Sequence, residues 1–135
     1  MDISASQISE LTKRARSASL HAHAPYSKFR VGAAVLTADG TIVGAANVEN
    51  ASYGLSMCAE RNAIFNAVAQ GAKAISAVAV YTPTRAVTPP CGACRQVMAE
   101  FGTDVLVICC SDDADAEQRY RLADLLPMAF GAGNL

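Results

Sequence analysis

At 135 residues and a net charge of −1, from 11 basic and 12 acidic side chains, the chain is sized for one domain, residues 1–135, and lacks the concentrated positive charge of a polymeric nucleic-acid binder. No apolar stretch approaches the roughly 20 residues that cross a membrane, and Met1-Asp2-Ile3-Ser4 lacks the basic-then-apolar pattern of a secretory signal. A hydrophobic fraction of 52% is high for so small a body, so part of the excess is expected in subunit contacts or in an Ala-rich core.

The first predicted element is a helix over residues 6–19, where Ile8, Leu11, Ala15 and Ala18 recur near the helical period. Ser4 and Gln7 match a capping box at its start. Lys13, Arg14, Arg16, Lys28 and Arg30 read as a solvated helix face and a loop. Residues 31–37 and 41–47 are β-prone runs joined through Asp39-Gly40, a strong hairpin signal because glycine readily takes the positive φ of tight turns. A polar connector then leads to Cys58, which opens a second helix with an apolar stripe of Ala59, Ala63, Ile64, Ala67 and Val68, stopped at Gly71. The run 75–81 is nearly all apolar and is expected to be an internal strand. Past Pro89-Pro90, a third helix is predicted over 92–101 with Val97 and Phe101 inward, then strands over 104–110 and 118–122.

Three cysteines and a glutamate carry the chemistry: Cys58-Ala59-Glu60 and Pro90-Cys91-Gly92-Ala93-Cys94. Both motifs fall at junctions into helices, where unpaired amide donors and the helix dipole favour the thiolate, the form that binds zinc. Two such helix ends side by side would place Cys58, Cys91 and Cys94 around one ion, with Glu60 in the first turn facing the same cleft. A catalytic zinc keeps one position for water, whereas a structural zinc is closed by four protein ligands. A carboxylate beside an open site can take and redeliver a proton, which suits hydrolysis or hydrolytic deamination. Arg61 and Arg95 follow the ligands closely and are candidates to offset the charge of three thiolates. Two alternatives stay open: a closed four-cysteine site recruiting Cys109 or Cys110, and a metal-free thiol pair. Cys109 and Cys110 are adjacent on a strand, point to opposite faces and cannot both join a site. His21 and His23 would serve as ligands only if the cysteines left a site unaccounted for. Five cysteines, an odd number with one CxxC spacing, fit a reducing, cytoplasmic setting.

Read together, these motifs resemble the zinc-dependent cytidine deaminases, in particular the small homotetrameric class. The resemblance runs through Pro25-Tyr26-Ser27-Lys28-Phe29-Arg30-Val31-Gly32-Ala33-Ala34, Asn47-Val48-Glu49-Asn50, Cys58-Ala59-Glu60-Arg61-Asn62-Ala63, Pro90-Cys91-Gly92-Ala93-Cys94-Arg95-Gln96 and Leu125-Leu126-Pro127. Cys58 stands where the wider zinc-deaminase signature has histidine. The resemblance implies an α/β three-layer fold with a mixed five-stranded sheet between helices; the short turn over residues 111–117 predicts a fifth strand antiparallel to the fourth, since parallel neighbours need a longer crossover. It implies one Zn2+ per subunit on Cys58, Cys91 and Cys94 with water or hydroxide as fourth ligand, and Glu60 as proton shuttle for attack at C4 of cytosine. It further implies substrate contacts from Phe29, Asn47, Glu49, Tyr53, Ala59 and Phe130, charge tuning by Arg61 and Arg95, and active sites shared between subunits of a homotetramer. Cytidine and 2'-deoxycytidine would become uridine and 2'-deoxyuridine with release of ammonia. A related deaminase of modified nucleosides is the alternative enzyme. Met128 stands where the family often has glycine, which affects the geometry of the tail.

Overall fold

A computed structural model describes residues 2–135. Helix α1 spans Ala5–Ser19 and begins with the expected capping box: Gln7 N donates to Ser4 Oγ at 3.1 Å and Ser4 N donates to Gln7 Oε1 at 3.0 Å. Strands β1 (Gly32–Thr37) and β2 (Ile42–Ala46) form the predicted hairpin, with Gly40 at φ +91 in the turn. Helix α2 (Ala59–Ala69), strand β3 (Ile75–Tyr81), helix α3 (Gly92–Glu100), and strands β4 (Leu106–Cys110) and β5 (Gln118–Arg121) follow, then the single turn α4 (Leu122–Leu125).

The sheet order is β2-β1-β3-β4-β5; only β3 and β4 pair in parallel, so the sheet is mixed. β5 runs antiparallel to β4, as a short turn requires. Two apolar layers sandwich this sheet. Leu11 and Ala15 of α1 pack on Ala34, Leu36, Ala77, Ala79 and Ile108 on one face. On the other face, Ala63, Ile64 and Ala67 of α2 and Cys94 and Met98 of α3 pack on Val35, Val78, Val80 and Val107. Small side chains let the helices lie close. At Gly32 the approach is extreme, because a Cβ there would sit 1.8 Å from the Ala15 carbonyl oxygen and 2.7 Å from Ser19 N.

This topology brings the cysteines together. β2 and β3 both run antiparallel to β1 and hence parallel to each other. The chain leaves β2 towards α2 and β3 towards α3, so both helices start at the same end of the sheet and on the same face. That placement outside the carboxyl ends of strands is where open α/β sheets build their sites.

Two expectations need correction. Val68, expected on the apolar stripe of α2, is exposed beside exposed Phe65, while Ala59, Ala63, Ile64 and Ala67 make the buried stripe. In α3, Cys94 and Met98 are fully buried, and Val97 and Phe101 pack partly covered against the same core, on the inner face as expected. The last strand stops at Arg121, because Leu122 is buried as the first residue of α4.

Candidate active site

Cys58 and Cys91 are the residues immediately preceding α2 and α3, and neither sulfur is used to cap its helix. Cys94 lies three residues on from Cys91, on the same side of α3. The three sulfurs all lie within 4.8 Å of one another, with Cys58 to Cys91 at 4.0 Å and Cys91 to Cys94 at 3.4 Å. Tetrahedral zinc with Zn–S bonds of ~2.3 Å demands sulfurs ~3.8 Å apart, so the spacing fits that ion. Among the described residues, this cluster includes no fourth ligand from the protein. The closed-site alternative is thereby set aside. Cys109 belongs to the α2/α3 core and Cys110 donates to Val80 O at 3.5 Å from within the core. Burial pushes their thiols up, to about 12 for Cys109 and about 11 for Cys110, as expected of inert core thiols.

The electrostatics favour a thiolate at Cys58. A hydrogen bond from the Cys94 thiol, helped by Arg61, outweighs desolvation and brings Cys58 down to about 5. Cys94 is correspondingly pushed up, because it keeps the proton it shares. Arg61 Nη2 donates to Cys58 Sγ at 3.2 Å, and this bond is the main reason its guanidinium holds its proton more tightly than usual. Glu60, 5% exposed, lies beside the trio; burial chiefly, then the negative charge of Cys58, raises its carboxyl above the ordinary range. Arg95 is oriented differently from expectation. Its Nε donates to Pro90 O at 2.8 Å and its Nη1 to Leu125 O at 2.8 Å, so its described bonds tie the cysteine loop to α4 rather than reach a sulfur.

A cavity of about 230 Å3 opens over the cluster, lined by Phe29, Asn47, Cys58, Ala59, Glu60 and Cys91 among others. It is below the ~300 Å3 at which drug-sized sites begin, a size for one small ring system. Sequence reasoning missed Thr82, Thr88 and Pro89, which form another part of its wall. They belong to a Pro/Thr-rich loop whose composition signals a connector and nothing more.

Phe29 is carried by a loop that Asn47 and Glu49 fasten. Asn47 Nδ2 donates to Phe29 O at 2.8 Å and its Oδ1 accepts from Val31 N at 2.9 Å. Glu49 accepts from Tyr26 N at 3.0 Å, from Ser27 N at 3.1 Å and from the Ser27 hydroxyl. Phe29 N donates to Ser27 Oγ at 3.0 Å. Between them Lys28 sits at φ +61, a left-handed conformation that costs a non-glycine residue about 1 kcal/mol.

Glu49 itself faces a second hollow, of about 330 Å3, with Tyr26, Ser27, Tyr53 and Ser56. Tyr53 is 74% exposed and its ring lies 5.8 Å from that of Tyr26. Phe130 is 59% exposed, held by its carbonyl, which accepts from Gln96 Nε2 at 2.9 Å. Within one chain, then, Phe29, Asn47 and Ala59 line the cysteine cavity, while Glu49, Tyr53 and Phe130 are not among its lining residues.

Comparison with known proteins agrees with this geometry. The family described as "Cytidine and deoxycytidylate deaminase zinc-binding region" matches residues 5–110. A cytidine deaminase of Halalkalibacterium halodurans is 47% identical over 126 residues, 93% of this chain and 95% of that protein. The crystal structure of cytidine deaminase from Burkholderia pseudomallei superposes with a TM-score of 0.86 at 45% identity, covering 90% of this chain and 98% of that one. The Mycobacterium tuberculosis cytidine deaminase structure gives 0.81 at 40% identity, covering 96% and 99%. Sequence, fold and the three-sulfur cluster agree, and the chain belongs to the cytidine and deoxycytidylate deaminase family.

Proposed function

We propose that the protein, as a single domain of residues 1–135, catalyses hydrolytic deamination of cytidine and 2'-deoxycytidine to uridine and 2'-deoxyuridine, releasing ammonia. One observation carries the reading: of three sulfurs at zinc spacing, those of Cys58 and Cys91 belong to residues that line a ring-sized cavity together with a buried carboxylate, Glu60. Cys58, Cys91 and Cys94 would hold one zinc ion per subunit and leave its fourth position to water. Bound there, the metal supplies Lewis acidity that makes water a nucleophile near neutral pH.

Glu60 takes the proton of the attacking water and delivers it to N3 of cytosine as C4 is attacked. It then moves a second proton to the departing amine, so that water and cytidine yield uridine and ammonia in balance. The raised affinity of Glu60 for protons suits a group that must both accept and return one. Ala59 contributes backbone groups to the pocket, and Phe29 packs against the pyrimidine. Asn47 and Glu49 hydrogen-bond the ribose 3'-hydroxyl, a group common to both nucleosides. Arg61 tempers the thiolate charge at Cys58; Arg95 acts on the site through the carbonyls that it braces.

Phe130 and Tyr53 are exposed in one chain and complete the pockets of neighbouring subunits in a homotetramer. Exposed Phe65, Val68 and Leu55 support that assembly, since subunit contacts would cover them. No described helix is long and apolar enough to cross a membrane, and five free cysteines fit a reducing cytoplasm. The test is turnover of cytidine, 2'-deoxycytidine and CMP, followed by ammonia release. Both nucleosides should react and CMP poorly; no turnover of either nucleoside by zinc-loaded, assembled protein overturns the proposal.

A further inference from the structure

The loop that presents Phe29 to the cavity contains a side chain whose two hydrogen bonds run in series. Ser27 Oγ donates to the Glu49 carboxylate and accepts from Phe29 N at 3.0 Å. The direction is forced, because an ionised carboxylate accepts only, which leaves the hydroxyl lone pairs for the Phe29 amide. Glu49 is ionised readily here; the Ser27 hydroxyl is the largest of the influences holding its carboxyl below the ordinary range. Asn47 fastens Phe29 O and Val31 N, so it secures the loop after the ring, whereas Ser27 secures the amide that leads into it.

Two features make that tether consequential. Phe29 is 39% exposed, so side-chain packing within the chain holds its ring weakly and the main chain must aim it. Lys28 is kept at φ +61, from which an L residue relaxes when its restraints are removed. We propose that Ser27 is a positioning residue for substrate binding: its hydroxyl couples the Glu49 carboxylate to the Phe29 main chain and sets the aromatic wall of the cysteine cavity. Its effect on binding rests on the nucleoside reading above, whereas its effect on the loop stands independently of any substrate.

The experiment compares zinc-loaded wild type with Ser27→Ala and Ser27→Thr, using cytidine kinetics and amide hydrogen exchange. Loss of charge-assisted tethering in Ser27→Ala should raise KM about tenfold with kcat within about twofold. The Phe29 amide should exchange at least about tenfold faster while those of Val35 and Val78 in the sheet stay unchanged. Ser27→Thr, which keeps the hydroxyl, should return both readouts to within about threefold of wild type. An unchanged KM, an unchanged Phe29 exchange rate, a fall in kcat as large as the rise in KM, or a Thr variant no better than Ala would overturn the proposal. If Ser27→Ala does not accumulate folded, Ser27→Cys preserves the shape with weaker hydrogen bonds, and a rise in KM of about threefold is expected in its place. Should the wild type turn over no nucleoside, the deaminase reading fails by itself, and exchange at Phe29 still decides the loop link.

Discussion

Replacing Arg61 with Gln removes the guanidinium that donates to Cys58 Sγ across 3.2 Å. Two unit charges at that separation attract by about 5 kcal/mol at an effective dielectric near 20. Only part of this is lost on substitution, because a bound metal draws off thiolate charge and solvent reaches the partly exposed arginine. Partners outside the ligand set are worth about 10–100-fold in metal affinity, which corresponds to about 1.4–2.7 kcal/mol. The Arg61→Gln protein should therefore lose zinc to a competing chelator at a concentration about 10–100-fold lower than wild type does. Its fold should suffer little. Among the described residues Arg61 Nε is buried without a hydrogen-bond partner, so substitution also removes an unsatisfied donor. Zinc retention within about threefold of wild type, measured at neutral pH on folded protein, would refute the role assigned to Arg61.

Gly32→Ala should lower the thermal midpoint by at least about 4 °C, since its methyl group would meet Ala15 O at 1.8 Å and force α1 off the sheet. An unchanged midpoint by circular dichroism would show that α1 is not seated so closely. Glu49 carries a pH signature of its own: hydrogen bonds from Ser27 and from the Ser27 and Tyr26 amides depress its folded pKa. Its contribution to loop stability is thus full above the unfolded carboxylate value of ~4.3 and is lost as pH falls through the lower folded value. An NMR titration should place the Glu49 midpoint below that ordinary value; a midpoint at or above it would contradict the clamp.

The architecture was legible where local chemistry and tertiary packing agree. Asp39-Gly40 specified a hairpin because the turn needs a positive φ, and Ser4 with Gln7 specified the start of α1 because helix amides need partners. The apolar run 75–81 announced β3, which is flanked on both sides in the sheet. Val68 shows the limit of such patterns: periodicity registers an apolar position but cannot say whether the core of the chain covers it, and here it does not. The clustering of the three cysteines was legible because each sits at or just within a helix start, and parallel β2 and β3 bring those starts to one place. Arg95 was harder to read. Nearness in sequence to Cys94 does not set the direction of a long side chain, and this one follows α3 to the carbonyls of Pro90 and Leu125. Ser27 left no spacing signal, since Glu49, 22 residues away, meets it only once the loop packs against the segment that follows β2.

The most direct measurement is turnover by Glu60→Gln alongside its zinc content. Gln keeps the shape of the buried side chain but cannot accept and return a proton. The account predicts that zinc stays bound through Cys58, Cys91 and Cys94 while kcat for cytidine and 2'-deoxycytidine falls by about 10²–10⁴-fold. Deamination within about tenfold of wild type by the zinc-loaded variant would contradict it.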